Sequence, residues 1–357
     1  MNERLTYSSS TKKDNWAHVV LPLMTLLIAV AVIPFKQLNE YTLLHLPIGE
    51  NGITLPVQTI ALILLLALSG SMLKLLLPEK SAPSLKAFAG LCGLGIPFLF
   101  LQGFLQIDQS PILNFSGIAL MLSSWMFALK DENKNYLHSI ASGLFAGLSC
   151  AVSPLYFSGA IALALFTLFQ KEPAWKSKAI KHLLWLAALF CGLTPILYRD
   201  FPQFQDQIQF SPEYIKSSLL FIYQTTPLWA WIFLLVGFVV SALQKQKILL
   251  GLVLPFFLLL LISIALLPSI FFAPGEIWEQ QNSFPHEVFA FSWSIAPTLL
   301  LPAAWFTAYG MIRVLRGIEQ GVRKVNPAQA KKIPAIACGG FILGFLFKIA
   351  DLYYFVS

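Results

Sequence analysis

Charge is what this sequence has least of. Asp, Glu, Lys and Arg make up 11% of its 357 residues, where a soluble domain carries about 25%. So little charge cannot solvate a folded surface of this size, and no stretch between the apolar runs is long enough to build a separate soluble domain. Cysteine is scarce too. Cys92, Cys150, Cys191 and Cys338 all fall inside apolar runs, where a free thiol packs as a small hydrophobe, and their spacing excludes a disulfide framework or a cysteine metal site. No glycine-rich phosphate loop, H-E-x-x-H motif or nucleotide-binding pattern is present, so neither cytosolic ATP nor a metal or cofactor is expected to take part in its chemistry. The first apolar run, 16–34, follows Arg4, Lys12 and Lys13 and lacks a small-residue cleavage site. It is expected to stay as a first span rather than leave as a signal peptide.

What is present is a series of apolar runs. A helix needs about 20 apolar residues to cross the ~30 Å hydrocarbon core of a bilayer. The runs 16–35, 56–77, 83–105, 111–129, 180–198, 227–244, 248–272, 288–312 and 334–355 fit that ruler. Residues 137–170 do not, being too long for one crossing and interrupted by Ser153-Pro154. Lys130 and Lys134 precede this stretch and Lys171, Lys176, Lys178 and Lys181 follow it, so both its ends belong on the basic, cytoplasmic side. It is therefore expected to form two short antiparallel helices, 137–152 and 154–170, with a turn recessed below the outer surface and covered by its neighbours.

These readings predict an all-α, polytopic integral membrane protein of the bacterial cytoplasmic (inner) membrane, a single transmembrane domain over 1–357 with eleven crossings. The N-terminus, with a tail over 1–15, is cytoplasmic, and the C-terminus is outside. This topology puts 20 of the 24 Lys and Arg residues inside, six of them in the connector 313–333, and leaves Lys36, Arg199, Lys216 and Lys348 outside. The net charge of +7 thus reads as orientation in the bilayer and not as a nucleic-acid surface.

Acidic residues gather in the outer segments 36–55, 199–226 and 273–287, among them Glu40, Glu50, Asp200 and Glu213, with His45 close by. A carboxylate beside the membrane can serve as a general base, although most such groups are solvated loop charges. Ser211-Pro212-Glu213 reads as a helix start. Tyr214, Ile215, Leu219, Leu220 and Ile222 then fall mainly on one face, which predicts an amphipathic helix in the outer interface. From Arg313 to Lys332, Val314, Leu315, Ile318 and Val322 interleave with basic residues, the pattern of a basic amphipathic helix on anionic lipid. Trp229, Trp231, Trp278 and Trp293 sit near span boundaries and read as interface anchors.

Four short stretches carry a resemblance: Pro111-Ile-Leu-Asn114, Gly143-Leu-Phe-Ala-Gly-Leu-Ser149, Pro195-Ile-Leu-Tyr-Arg199 and Ser283-Phe-Pro285. Together, over about 50–315, they resemble the bacterial membrane-protein family related to protein O-mannosyltransferases, within the GT-C superfamily of polytopic glycosyltransferases. The resemblance implies transfer of a sugar from a polyprenyl-phosphate donor at the outer face, with an acidic residue of the first outer loop as base. In that loop, 36–55, the carboxylates are Glu40 and Glu50. Arg199, Asp200 and His45 are the candidate substrate contacts, Arg199 because guanidinium matches phosphate oxygens bidentately.

Glu40 and Glu50 do not stand in the Asp-x-Gly-Glu setting of the related family, and the His-Pro-Pro-Gly segment is missing. These departures motivate a second expectation, a catalytically inactive scaffold subunit that holds other membrane subunits. A transporter or lipid flippase ranks third, since no internal repeat and almost no midplane charge is found. Membrane lipids, a polyprenyl-phosphate sugar and other membrane subunits are the expected partners; nucleic acid is not.

Overall fold

The computed structural model describes Met24 and residues 54–78, 81–101, 111–130, 136–152, 154–169, 175–199, 213–266 and 284–356. Among these residues the secondary structure is helical throughout. The helices are α1 (Thr54–Leu75), α2 (Pro83–Leu101), α3 (Pro111–Leu129), α4 (Tyr136–Val152), α5 (Phe157–Phe169), α6 (Trp175–Arg199), α7 (Glu213–Thr225), α8 (Leu228–Leu243), α9 (Leu254–Leu266), α10 (Phe284–Val325), α11 (Pro327–Ala330) and α12 (Ile333–Val356). Four helical stretches, Pro83–Leu101, Leu249–Leu266, Thr298–Val325 and Pro327–Lys348, are long and apolar enough to cross a membrane. Shorter apolar helices lie among them.

Contacts between helices fix their relative directions. Gly93 faces Ser69 and Gly70 while Lys74 lies across Gly90, so α1 and α2 are antiparallel. Ser149 donates to the Gly117 carbonyl (2.8 Å) and Ser124 meets Ser142 (3.2 Å), which makes α3 and α4 antiparallel. Gly117 faces Tyr156 and Gly159 faces Met121, so α5 runs with α3 and against α4. Gly143 meets Trp185 and Ala188, and Gly147 meets Leu189 and Gly192; α6 therefore runs with α4. Gly251 and Phe256 face Phe166 and Gly159 respectively, setting α9 against α5. Thr307 bonds Ala230 and Gly310 abuts Gly237, so α10 runs with α8. Along α1 it lies in the same sense, with Trp305 at Ser69 and Tyr309 linked through Gln246 to Leu76. Finally, Phe341 and Phe345 of α12 meet Phe88 and Phe98 edge-on, which sets α12 parallel to α2. The long helices thus alternate in direction along the chain. The described connectors 244–248 and 326–332 lie at one end, the basic end, where Leu75, Pro83, Leu129, Tyr136, Phe169 and Trp175 also end or begin their helices; Leu101, Pro111, Arg199, Glu213, Leu266 and Phe284 stand at the opposite end.

The break expected at Ser153-Pro154 is present. Val152 ends α4, and Pro154 opens a single 3₁₀ turn, Pro154–Tyr156, before α5 begins. Proline supplies no N–H and disfavours a helical residue before it. The two short helices diverge from this turn: α4 is buried between α3 and α6, and α5 lies against α9. With 13 residues, α5 is about 20 Å long, too short to cross alone. Its turn is recessed to the level of Gly117, six residues inside the start of α3.

Two elements differ from the sequence-based boundaries. The run 288–312 belongs to α10, a helix of 42 residues that continues unbroken through the basic segment to Val325. At 1.5 Å per residue it is about 63 Å long, twice a bilayer core. It stops at Asn326, whose Oδ1 accepts from the N–H groups of Ala328 and Gln329, with Pro327 in the first position of the next turn. The run 248–272 opens with a π-helical turn, Leu249–Val253, ahead of α9. On α7, Ser218 and Ile222 turn inward while Leu219, Leu220 and Tyr223 are exposed, leaving an apolar strip free of protein neighbours.

Candidate functional site

At the opposite end, the recessed turn sits among α3, α4, α5 and α10. Tyr156 is buried, its ring laid over Gly117, where a side chain would occupy the same space. Its hydroxyl lies 3.4 Å from Thr298 Oγ1 on α10. Ser149, at the end of α4, bonds the carbonyl of that same Gly117. Deeper in the bundle, Trp125 donates to the Gly159 carbonyl (3.4 Å) and Trp305 to Ser69 Oγ (2.7 Å). These groups are hydroxyls, indoles and a phenol bonded from helix to helix. Inside an apolar bundle such pairs position backbones; they offer no general base.

The acid–base groups that the sequence suggests are elsewhere. Glu40, His45, Glu50 and Asp200 lie outside the described residues. Arg199 is the last residue of α6, and its side chain also lies outside the described set. The structure does give the attachment points of their segments. Thr54, which opens α1 after 36–53, and Arg199, which precedes 200–212, are both at the end that holds the recessed turn. Pro111 at the start of α3 and Phe284 at the start of α10 are at this end as well, so three of the four stretches that carry the family resemblance begin or finish helices there. The fourth, Gly143–Ser149, is the face of α4 that meets α6 and α3. Among the described residues no group of three or more His, Cys, Asp or Glu side chains could hold a metal ion.

Sequence reasoning missed Tyr156, Thr298, Trp125 and Trp305. For the tryptophans a signal existed. Trp125 and Trp305 stand inside their apolar runs, unlike Trp229, which is two residues from the start of its run and partly exposed, and a buried indole N–H calls for an acceptor on another helix. For Tyr156 and Thr298, 142 residues apart, no local pattern announces the pairing. No family model, curated protein or solved structure matches this chain.

Proposed function

We propose that this protein is a GT-C-like, multi-pass protein of the bacterial cytoplasmic membrane that acts at the outer face on a polyprenyl-phosphate-linked sugar. The observation that carries the reading is the alternating direction of the described helices, which puts Thr54 and Arg199, the attachment points of the segments bearing Glu40, Glu50 and Asp200, at the end opposite most of the basic residues. With 16–35 as a further span, and with α4 and α5 counted as the two short arms of one recessed hairpin, the crossings number eleven, and the excess of Lys and Arg orients the basic end toward the cytoplasm. Glu40 or Glu50 is the proposed base that deprotonates the acceptor. Arg199 holds the donor phosphate through paired N–H groups, and His45 and Asp200 contact the sugar.

In proteoliposomes supplied with a polyprenyl-phosphate sugar, Glu40→Gln or Glu50→Gln is expected to lower transfer at least about a hundredfold, the lower range of general-base effects. Unchanged transfer in both variants removes the proposed base. That outcome leaves the scaffold reading, for which a stable stoichiometric partner in mild detergent is the expected finding. The topology has its own test. Cysteines introduced as Lys171→Cys and Arg323→Cys are expected to react with an impermeant maleimide only from the cytoplasmic side; labelling from opposite sides would overturn the eleven-crossing layout.

A further inference from the structure

At the basic end, α8 and α10 part company. Their backbones touch at Gly237 and Gly310, where a Cβ on either would run into the carbonyl of Phe306 or Phe233. Beyond that point the helices diverge around a groove of about 420 Å³. Val236, Val240 and Gln244, one turn apart on α8, form one wall, and Arg313, Arg316 and Gln320 of α10 form much of the other. Gly317 lies between the last two, and nothing stands within 4 Å of where its Cβ would be, so the wall is open there.

The groove is graded in polarity. Val236 lies eight residues from Gln244 on α8, about 12 Å deeper into the bundle, so the floor is aliphatic and the mouth carries two guanidiniums and two amides. Arg313 is held in place: its Nε donates to Tyr309 Oη at 2.7 Å, and its guanidinium carbon lies 4.9 Å from the centre of that ring. Tyr309 is itself buried and tied to Gln244 and Gln246. This arrangement engages Nε and leaves the two terminal amino groups of Arg313 for the groove. The nearby carboxylate, Glu319, is taken up by Arg323 at 2.6 Å. Among the described residues no ion pair engages Arg313 or Arg316.

From this geometry we infer a binding site for one anionic phospholipid, its phosphate between Arg313 and Arg316 and its acyl chains along Val236 and Val240. Charge complementarity selects a phosphate whose headgroup carries no compensating cation, since two guanidiniums without a carboxylate partner among the described residues attract net negative charge and can hold the phosphate through several N–H groups. The aliphatic floor selects a lipid over a soluble phosphate, because a free ion leaves the valines uncovered. The site lies at the opposite end of the bundle from the proposed transfer chemistry and rests only on α8 and α10 crossing the bilayer with this end at a leaflet surface.

Native mass spectrometry of the full-length protein from mild detergent tests the inference, with phosphatidylglycerol and phosphatidylcholine offered in equal amounts. Wild type is expected to retain phosphatidylglycerol about tenfold better, the scale of a single charged hydrogen bond at the low end of its range. Arg313→Gln combined with Arg316→Gln is expected to abolish that preference, whereas Lys331→Gln combined with Lys332→Gln, which removes equal charge outside the groove, leaves it unchanged. Should the first pair fail to fold, Arg316→Gln with Gln320→Ala alters only the mouth and is expected to lose most of the preference. Val240→Trp fills the floor and is expected to weaken retention while every cation remains. The site is refuted if both charge-removing pairs lose the preference equally, if neither groove variant loses it, or if millimolar inorganic phosphate displaces the lipid.

Discussion

Gly147→Leu is expected to unseat α6 from α4 and to give the largest loss of stability of any single substitution on these two helices. Gly143 and Gly147 are one turn apart on α4, and a Cβ at either position would run into the backbone of α6, at the carbonyls of Trp185 and Leu189. The fit is reciprocal, since a Cβ on Gly192 would lie 2.7 Å from the Leu144 carbonyl and 2.8 Å from the Leu148 nitrogen. Helices in an apolar medium associate through such close packing and through hydrogen bonds across it. Here the bond across the seam is Trp185 to Ser142, and Ser142 also meets Ser124 of α3, each at 3.2 Å. Forcing a leucine between the backbones costs about 1–3 kcal/mol or more for overpacking, plus roughly 0.6 kcal/mol for each interhelical bond broken. Even Gly147→Ala is expected to destabilise measurably. The comparison lies on α12, where Gly340 and Gly344 repeat the same spacing but have nothing within 4 Å of their Cβ positions. Gly340→Leu and Gly344→Leu should leave the unfolding midpoint in detergent almost unchanged. If all three leucine variants behave alike, the direct contact of α4 with α6 is wrong.

That comparison also shows what the sequence could and could not disclose. Both glycine pairs are equally visible in the chain, and nothing local says which one faces a partner. The same limit applies across the bundle: an apolar side chain is at home against lipid or against another helix, so hydrophobic patterning does not mark the packed face. On α7, for example, Ser218 and Ile222 are buried while Leu219 and Leu220 are left exposed, as an apolar side laid in the membrane interface would be. Features set by backbone chemistry were legible. Pro154 broke the long run where its missing N–H required, and the flanking lysines correctly implied that α4 and α5 run in opposite directions. The end of α10 was not legible, because Gly317 and Gly321 are each weak helix formers that read as possible stops, yet the helix runs through both to Asn326, whose side chain caps the next turn. Of the candidate site, Glu40, Glu50, His45, Arg199 and Asp200 came from loop chemistry and family resemblance. The Arg313 groove could not be foreseen, because it needs Gln244 brought beside α10 from 69 residues away.

Trp305→Ala is expected to cost about 3–5 kcal/mol, the range for truncating a fully buried large aromatic. Trp305 is fully buried, and its indole joins helices that are far apart in sequence. Its Nε1 donates to Ser69 of α1 at 2.7 Å, and its ring lies 6.0 Å from that of Trp125 on α3. Trp125 meets Phe256 of α9 edge-on at 5.3 Å and bonds the Gly159 carbonyl of α5. One side chain therefore supports contacts among five helices, and its removal leaves a cavity that lipid cannot enter. The polar part separates from the packing part in a double-mutant cycle. Ser69→Ala alone strands the indole N–H and should cost about 1–3 kcal/mol. Trp305→Phe alone keeps most of the ring volume and leaves the serine hydroxyl unpaired at similar cost. Trp305→Phe with Ser69→Ala removes donor and acceptor together and should be less destabilised than the sum of the two single changes. Reversible unfolding in mixed detergent and dodecyl sulfate micelles, followed by far-ultraviolet circular dichroism, measures all of these. Strict additivity would mean that the hydrogen bond does not couple α1 to α10. A loss below about 1 kcal/mol for Trp305→Ala would place that residue against lipid rather than at the centre of the bundle.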